Sequence, residues 1–506
     1  MTSFTDARAE VLVDLVQRDA VRRLFAGDHT LWRDDPAEVA DRLGWIPVVA
    51  EVQADLTALT ARCEGLAAGV EHVVVMGMGG SSLFPEVLAR SFAHLNRDPD
   101  LHVLDTTDPA SIARVASACP PERTLYLAAS KSGSTIETRS HLEWAWGEAQ
   151  HQGRFAVITD PGSELAQLAR DRGFAEVFEN RSDIGGRYSA LSLFGIVPAL
   201  LAGVDAAALL AGGLDGLAEC GPEVEPADNP ALGLATALAA GVRTGRDKAT
   251  FGLQAGLATF GLWLEQLLAE SLGKDGTGVV PIVGEPIGLP DAYGDDRLFV
   301  LDPHSVDLGG RLEAAGHPVV TLPSDPAPRT LGRLVVLAEV ATALTGVALG
   351  VQPFDQPDVA AAKAATEEVL AEGGANVEVQ PLDDLLAQLQ PDDHLALQAF
   401  VDPGDLDLAG LEAARVRLRD QHRVAVSLGY GPRFLHSTGQ LHKGGPKGIV
   451  CVQVVGDDPV EIPIPGRAFG FGHLKQAQAA GDLRTLQARG IRAGRVALTD
   501  LLEVAR

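Results

Sequence analysis

The chain has 506 residues, 46% hydrophobic and 5% aromatic, and its 68 acidic against 41 basic side chains give a formal charge of −27. That length exceeds one ordinary core, and the negative excess disfavours nucleic acid or an anionic membrane as partner. An anionic small molecule would have to be held by local donors. Cys63, Cys119, Cys220 and Cys451 are scattered, with no CxxC or HExxH spacing, and read as reduced thiols. The opening stretch "MTSFTDARAEVLVDLVQRD" lacks the basic and apolar regions of a secretory signal, and no 18-residue apolar run appears. A cytoplasmic location without membrane spans is the expectation.

Residues 1–70 read as an N-terminal helical segment that includes "PAEVADRLGWI". A strand–helix alternation follows over 71–200: "HVVVMG", "LHVLD", "TLYLAAS", "RFAVITD" and "AEVFEN" are strand runs separated by helical patterns. Asp108, with Pro109 behind it, has the pattern of a helix cap. Such spacing predicts parallel βαβ units covered by helices on both faces. Residues 201–290 read as a helical connection. A shorter alternation, "RLFVLD" and "PVVTLP" with their helices, occupies 291–375. Beyond a polar passage at Glu372–Gly374, a third α/β unit spans 376–506, with "HLALQAF", "RVAVSLGYG" and "IVCVQVV" as strands.

Five short segments carry the chemistry. "SKSGST" places Ser130, Lys131, Ser132, Ser134 and Thr135 in one turn between a strand and a helix, where amides and hydroxyls can receive a phosphate; ordinary strand–helix turns use the same residues. "GMGGSS" lets the backbone at Gly80 and Ser81 approach a ligand, and it lacks the complete dinucleotide pattern. "DIGGRYS" sets Arg187 behind two glycines, placed to fork onto an oxyanion. "EQLLAESLGK" puts Gln266 and Glu270 one helical turn apart near a helix end, where a partly desolvated carboxylate can act as general base. "QPFDQPDVAAAK" carries Gln356 and Lys363. The loop "GPRFLHSTGQLHKGGPKG" adds His436, His442, Lys443 and Lys447. His436 and His442 are weak metal candidates, and no metal or cofactor is called for.

In this order, "GMGGSS", "SKSGST", "DIGGRYS", "ESLGK" and "FDQPDVAAAK" resemble the glucose-6-phosphate isomerase family, built on sugar isomerase (SIS) domains, over about residues 70–370. The C-terminal loop further resembles the isomerase half of bifunctional transaldolase/glucose-6-phosphate isomerases. The resemblance implies two SIS-type three-layer αβα domains, at 71–200 and 291–375, beside the third unit. It implies reversible isomerisation of glucose 6-phosphate and fructose 6-phosphate through a cis-enediol, without a cofactor. Dual phosphoglucose/phosphomannose isomerisation and a non-catalytic SIS sugar-phosphate sensor are the alternatives. By the same resemblance, Glu270 is the base, Arg187 stabilises the enediolate and Lys363 assists ring opening. Ser130, Lys131, Ser132, Ser134, Thr135 and Gln356 bind the phosphate end; Gly80, Ser81 and Gln266 line or orient the sugar.

One departure stands out. The family's histidine after the glutamate motif has no counterpart in 271–303, whereas "LHSTGQ" appears at 435–440. His436 is therefore expected to open the ring, with His442 as its rival. In the family this histidine comes from the partner subunit, so a homodimer is compatible with the sequence.

Overall fold

"HVVVMG" and "TLYLAA" are buried along almost their whole length, the pattern of strands covered on both faces by helices. The computed structural model describes residues 2–95, 99–150, 153–323, 325–373, 377–402 and 404–506. Its first sheet consists of β1 (His72–Gly77), β2 (Asp100–Leu104), β3 (Thr124–Ala129), β4 (Arg154–Thr159) and β5 (Glu176–Glu179). All pair in parallel, in the order β2-β1-β3-β4-β5. Strand order reverses between β1 and β3, and a parallel sheet opens a crevice beyond its carboxyl ends at such a point. "GMGGSS" follows β1 and "SKSGST" follows β3, so the two loops flank that crevice.

A second parallel sheet contains β6 (Lys248–Gly252), β7 (Val280–Ile282), β8 (Arg297–Leu301) and β9 (Val319–Thr321), ordered β7-β6-β8-β9. The third contains β10 (His394–Phe400), β11 (Ala425–Tyr430), β12 (Ile449–Val455) and β13 (Arg492–Ala497), ordered β11-β10-β12-β13 and again parallel. Three α/β units are thus present. The second sheet reaches further back than the sequence suggested: β6 and β7 lie inside 201–290, the stretch read as helical. Both are short, and "KATFG" sits between two strongly helical runs that mask it. β13 also escapes the strand pattern, because arginines and a glycine interrupt "RAGRVA".

Residues 1–70 are helical over Phe4–Gln17, Ala20–Phe25 and Trp45–Ala67, but "PAEVADRLG" is not a regular helix. There the chain turns to pair with the "DIGG" segment: Leu43 bridges Ile184, and the Gly44 amide donates to the Asp183 carbonyl at 2.9 Å. Asp108 caps the Pro109–Ala118 helix as its sequence implies, accepting from the amides of Ala110 and Ser111. One continuous apolar core joins the N-terminal helices, the first and second sheets and the Pro328–Leu349 helix. By length and composition that helix could cross a membrane, yet 94% of its most apolar window is buried inside the protein, which makes it a core helix.

The third unit docks on the other two through charged contacts, several of them buried. Lys475, on the Phe471–Ala488 helix, donates to Asp108 at 2.6 Å and to Asp458. Arg433 pairs with Asp105 at 2.7 Å, and Arg114 forks onto Asp402 at 2.6 and 2.7 Å. Toward the second sheet, Arg419 meets Glu285 at 3.2 Å and Arg415 donates to the Val283 carbonyl at 2.7 Å. These contacts set the third unit against the carboxyl end of the first sheet. Lys475→Met leaves two carboxylates without their buried cation and should cost about 3–5 kcal/mol; a urea titration of the whole chain should show a clearly lower midpoint.

Candidate active site

The "SKSGST" turn is internally braced but open at its tip. Ser130 Oγ receives the Gly133 amide at 3.1 Å and lies 3.1 Å from Thr135 Oγ1; the exposed Ser132 and Ser134 hydroxyls are 3.0 Å apart. Thr135 precedes the Ile136–Glu148 helix without a side-chain capping bond, so its hydroxyl satisfies no amide of the first turn. Such a terminus favours an anion. Lys131, expected beside the phosphate, is already engaged. Its ammonium donates to Asp160 and, at 2.6 Å, to the Ser182 carbonyl, so its charge ties the turn to the end of β4.

Two glycines let three segments converge across the crevice. Gly79 has φ +56°, and a Cβ there would lie 2.7 Å from the His436 carbonyl oxygen and 2.8 Å from Gln266 Nε2. A Cβ on Gly80 would stand 1.8 Å from the Gly186 carbonyl oxygen, so "GMGGSS" and "GGRYS" touch backbone to backbone. Ser81 is buried beside them, and its hydroxyl has no partner among the described residues.

Arg187 is 3% exposed and rigidly held. Its Nε donates to Ser271 Oγ at 2.8 Å, and its Nη2 donates to the Pro353 and Asp355 carbonyls at 2.7 and 2.8 Å. That leaves Nη1 toward Glu270, 3.6 Å from Oε2. Glu270 is 5% exposed and lies in the last turn of the Phe260–Leu272 helix. Gln266 Nε2, one turn earlier, bridges Glu270 Oε2 at 3.0 Å and the His436 carbonyl at 2.9 Å. The carboxylate is therefore fixed by an amide and a guanidinium that are themselves fixed, with little reorganisation left for the reaction.

His436 arrives on the third unit, its Nε2 2.8 Å from Glu137 Oε1. Gln478 Nε2 donates to the same oxygen at 2.6 Å, and its own Oε1 accepts from Thr107 at 2.8 Å. Burial raises the Glu137 carboxyl's pKa, but the charge and hydrogen bond of His436 outweigh it and hold the group down at about 2. An imidazole paired with a buried carboxylate is held in one orientation. His442, the rival, faces elsewhere: its Nδ1 lies 3.0 Å from Gln398 Nε2, and its ring lies against Phe434 and His394. Burial first, then His394 and Lys443, push it well below its ordinary range, as suits a neutral core histidine.

Two expected residues stand apart. Gln356 and Lys363 are exposed, and among the described residues no hydrogen bond or ion pair joins Lys363 to Glu270, Arg187 or His436. Lys363 sits on the solvent side of the Val359–Ala371 helix, which packs on the Phe471–Ala488 helix. Lys274 is the lysine that does enter the cluster. Its Nζ donates to the Gln352 and Asp355 carbonyls at 2.6 and 2.7 Å and to Asp355 Oδ1 at 2.7 Å. Burial and the Arg187 charge pull it down to about 7, against Asp355 and Glu270. The "ESLGK" segment already held this residue, but only distance reveals that it shares the Asp355 carbonyl with Arg187. Glu137 was likewise hidden, in the helix that follows "SKSGST".

A buried carboxylate and an imidazole–carboxylate pair, converging beside an anion-receiving turn, are the parts of an acid–base enzyme. The family model for phosphoglucose isomerase matches residues 33–283. A glucose-6-phosphate isomerase of Rubrobacter xylanophilus is 34% identical over 358 residues, covering 59% of this chain and 82% of the relative. One from Thermosynechococcus vestitus is 32% identical over 351 residues, covering 59% and 66%. Among solved structures, a hypothetical protein of Thermus thermophilus has a TM-score of 0.62 at 27% identity, over 73% of this chain and 97% of the other. A glucose-6-phosphate isomerase of Chlamydia trachomatis shares the fold, with a TM-score of 0.57 at 20% identity over 73% and 85%. This chain belongs to the glucose-6-phosphate isomerase family.

Lys274→Met should loosen the Asp355 carbonyl that holds Arg187, and it also costs stability by removing the buried partner of the Asp355 carboxylate. Small misplacements of such a group cost up to about 100-fold, so steady-state kinetics should show kcat falling by about 10–100-fold with KM changing far less.

Proposed function

We propose that this chain interconverts glucose 6-phosphate and fructose 6-phosphate through a cis-enediol, as an aldose–ketose isomerase. What carries the reading is a buried Glu270 held by Gln266, whose amide also binds the His436 backbone carbonyl, with the His436 imidazole itself paired to Glu137 in the helix that the "SKSGST" turn opens. Ring opening needs one acid–base group near the ring oxygen, and isomerisation needs another beside C1 and C2.

Amides and hydroxyls at Ser130, Ser132, Ser134 and Thr135 receive the phosphate, and Gly80 and Ser81 line the sugar. Phosphate binding then holds the flexible open chain in register. His436, oriented by Glu137, moves the proton at the ring oxygen. Glu270 takes the C2 proton and returns it to C1 on the same face, so one carboxylate serves as base and then acid. Arg187, with three of its donor contacts already satisfied, turns its remaining nitrogen toward the charge that develops on the enediolate oxygens. Gln266 orients Glu270 relative to the substrate. Lys363 and Gln356, both exposed, are assigned no contact in this reading.

The reading places the imidazole and the carboxylate on one chain, so a homodimer is compatible with the site without being needed to complete it. Four unpaired, buried cysteines suit a reducing, cytoplasmic location. A sugar-phosphate sensor would have no use for a buried Glu270 fixed by both Arg187 and Gln266.

A dehydrogenase-coupled assay should detect glucose 6-phosphate formed from fructose 6-phosphate, with turnover unaffected by EDTA; no turnover would overturn the reading. Glu270→Gln should lose about 100–10,000-fold in kcat while still binding a sugar-phosphate inhibitor. His436→Ala and Glu137→Gln should slow cyclic substrate far more than open-chain substrate. Equal losses on both would remove His436 from ring opening.

A further inference from the structure

The first sheet has a second group of functional side chains at the edge opposite the crevice. His72 opens β1 and His102 lies in the middle of β2. The strands pair with His72 opposite Asp100 and Val74 opposite His102, so the two imidazoles are diagonal neighbours on one face. Their rings are 5.4 Å apart, and His72 Nδ1 is 3.3 Å from His102 Nε2. The Pro109–Ala118 helix covers this face, and Cys119 caps its carboxyl end. The Cys119 sulfur and one nitrogen from each histidine all lie within 4.8 Å of one another.

That spacing is what a tetrahedral metal would require. Two nitrogens each about 2.1 Å from zinc stand about 3.4 Å apart, and a sulfur about 2.3 Å from it lies about 3.6 Å from each nitrogen. The nitrogens, 3.3 Å apart, already meet this separation, and the sulfur lies within 4.8 Å of both. Two imidazoles and a thiolate suit a borderline-soft divalent ion such as zinc and are poor ligands for magnesium or calcium. The Asp100 carboxylate is close enough for its charge to act on both His102 and Cys119, which helps balance a dication. Cys119 is 1% exposed while both imidazoles are half-buried, so an ion would enter from the histidine side and keep one position for water.

We propose that His72, His102 and Cys119 form a zinc site that clamps the edge strand β2 and the end of the Pro109–Ala118 helix to β1. Its role is structural. His72 opens β1 and His102 lies level with Val74, so at about 3.3 Å per residue the site sits about 10–17 Å along the strand from the "GMGGSS" turn and takes no part in the chemistry. The clamped helix begins at Asp108, Ser111 and Arg114, the residues that hold Lys475 and Asp402 of the third unit. The ion would therefore brace, from the far end, the same helix on which the His436-bearing unit rests.

Untagged full-length protein, stripped with EDTA and dialysed, should take up one zinc ion per chain in calorimetry. Cobalt should give a tetrahedral visible spectrum with a thiolate charge-transfer band that Cys119→Ser abolishes. His72→Gln and His102→Gln, checked for native circular dichroism, should each weaken zinc binding at least about tenfold. Zinc should raise the melting temperature of the wild type and not of Cys119→Ser, and all three variants should keep wild-type isomerase turnover. Absence of stoichiometric uptake, or unchanged affinity in Cys119→Ser and His102→Gln, would overturn the site. Loss of turnover on chelation would overturn its structural role.

Discussion

The carboxylate of Glu137 is the contact on which the rest of the site depends. One of its oxygens takes both the His436 imidazole and the Gln478 amide, and these come from different elements of the third unit. Glu137 itself stands in the first turn of the helix that the hydroxyl loop opens. A single buried anion thus joins the phosphate-type turn, the imidazole and the docked unit. A buried charge is tolerated only when partners surround it, so the third unit cannot shift far without stranding it. Lys475 with Asp108, and Arg433 with Asp105, repeat the same logic around the rim.

This arrangement also reconciles a strongly acidic chain with an anionic ligand. Arg187, Lys131, Lys274, Lys443 and Lys475 are each matched by carboxylates or carbonyls of the protein. Little unpaired positive charge faces the crevice. Under the proposed function, reception of a phosphate falls instead to hydroxyls and to amides at a helix start, donors whose strength does not depend on net charge.

The motifs were legible because glycines and small hydroxyl residues answer local demands: Gly80, where a Cβ would stand 1.8 Å from a backbone oxygen, and the open turn at Ser130–Thr135 tolerate few other residues. The alternation of strands and helices revealed the three parallel units for the same reason, since burial on both faces imprints long apolar runs. What stayed hidden depends on distance in the chain. Nothing near Lys131 announces Asp160, 29 residues away, and nothing in "TIET" announces a histidine 299 residues on. Lys274 was in view but looked like the tail of a motif until Asp355 was brought beside it. Lys363 shows the converse: a motif carried it to the site on paper, while its helix turns it to solvent. β6 and β7 were lost because three to five residues between helices carry too little periodicity to read.

The placement of His436 on the same chain as Glu270 has a consequence for how the site comes into being. Parts held by separate subunits meet by association, and their fraction in working order falls as protein becomes scarce. Here imidazole and carboxylate are brought together by the folding of one polypeptide, a first-order event. If His436 serves as proposed, the completeness of that pair follows from folding alone and does not call for a second copy of the chain.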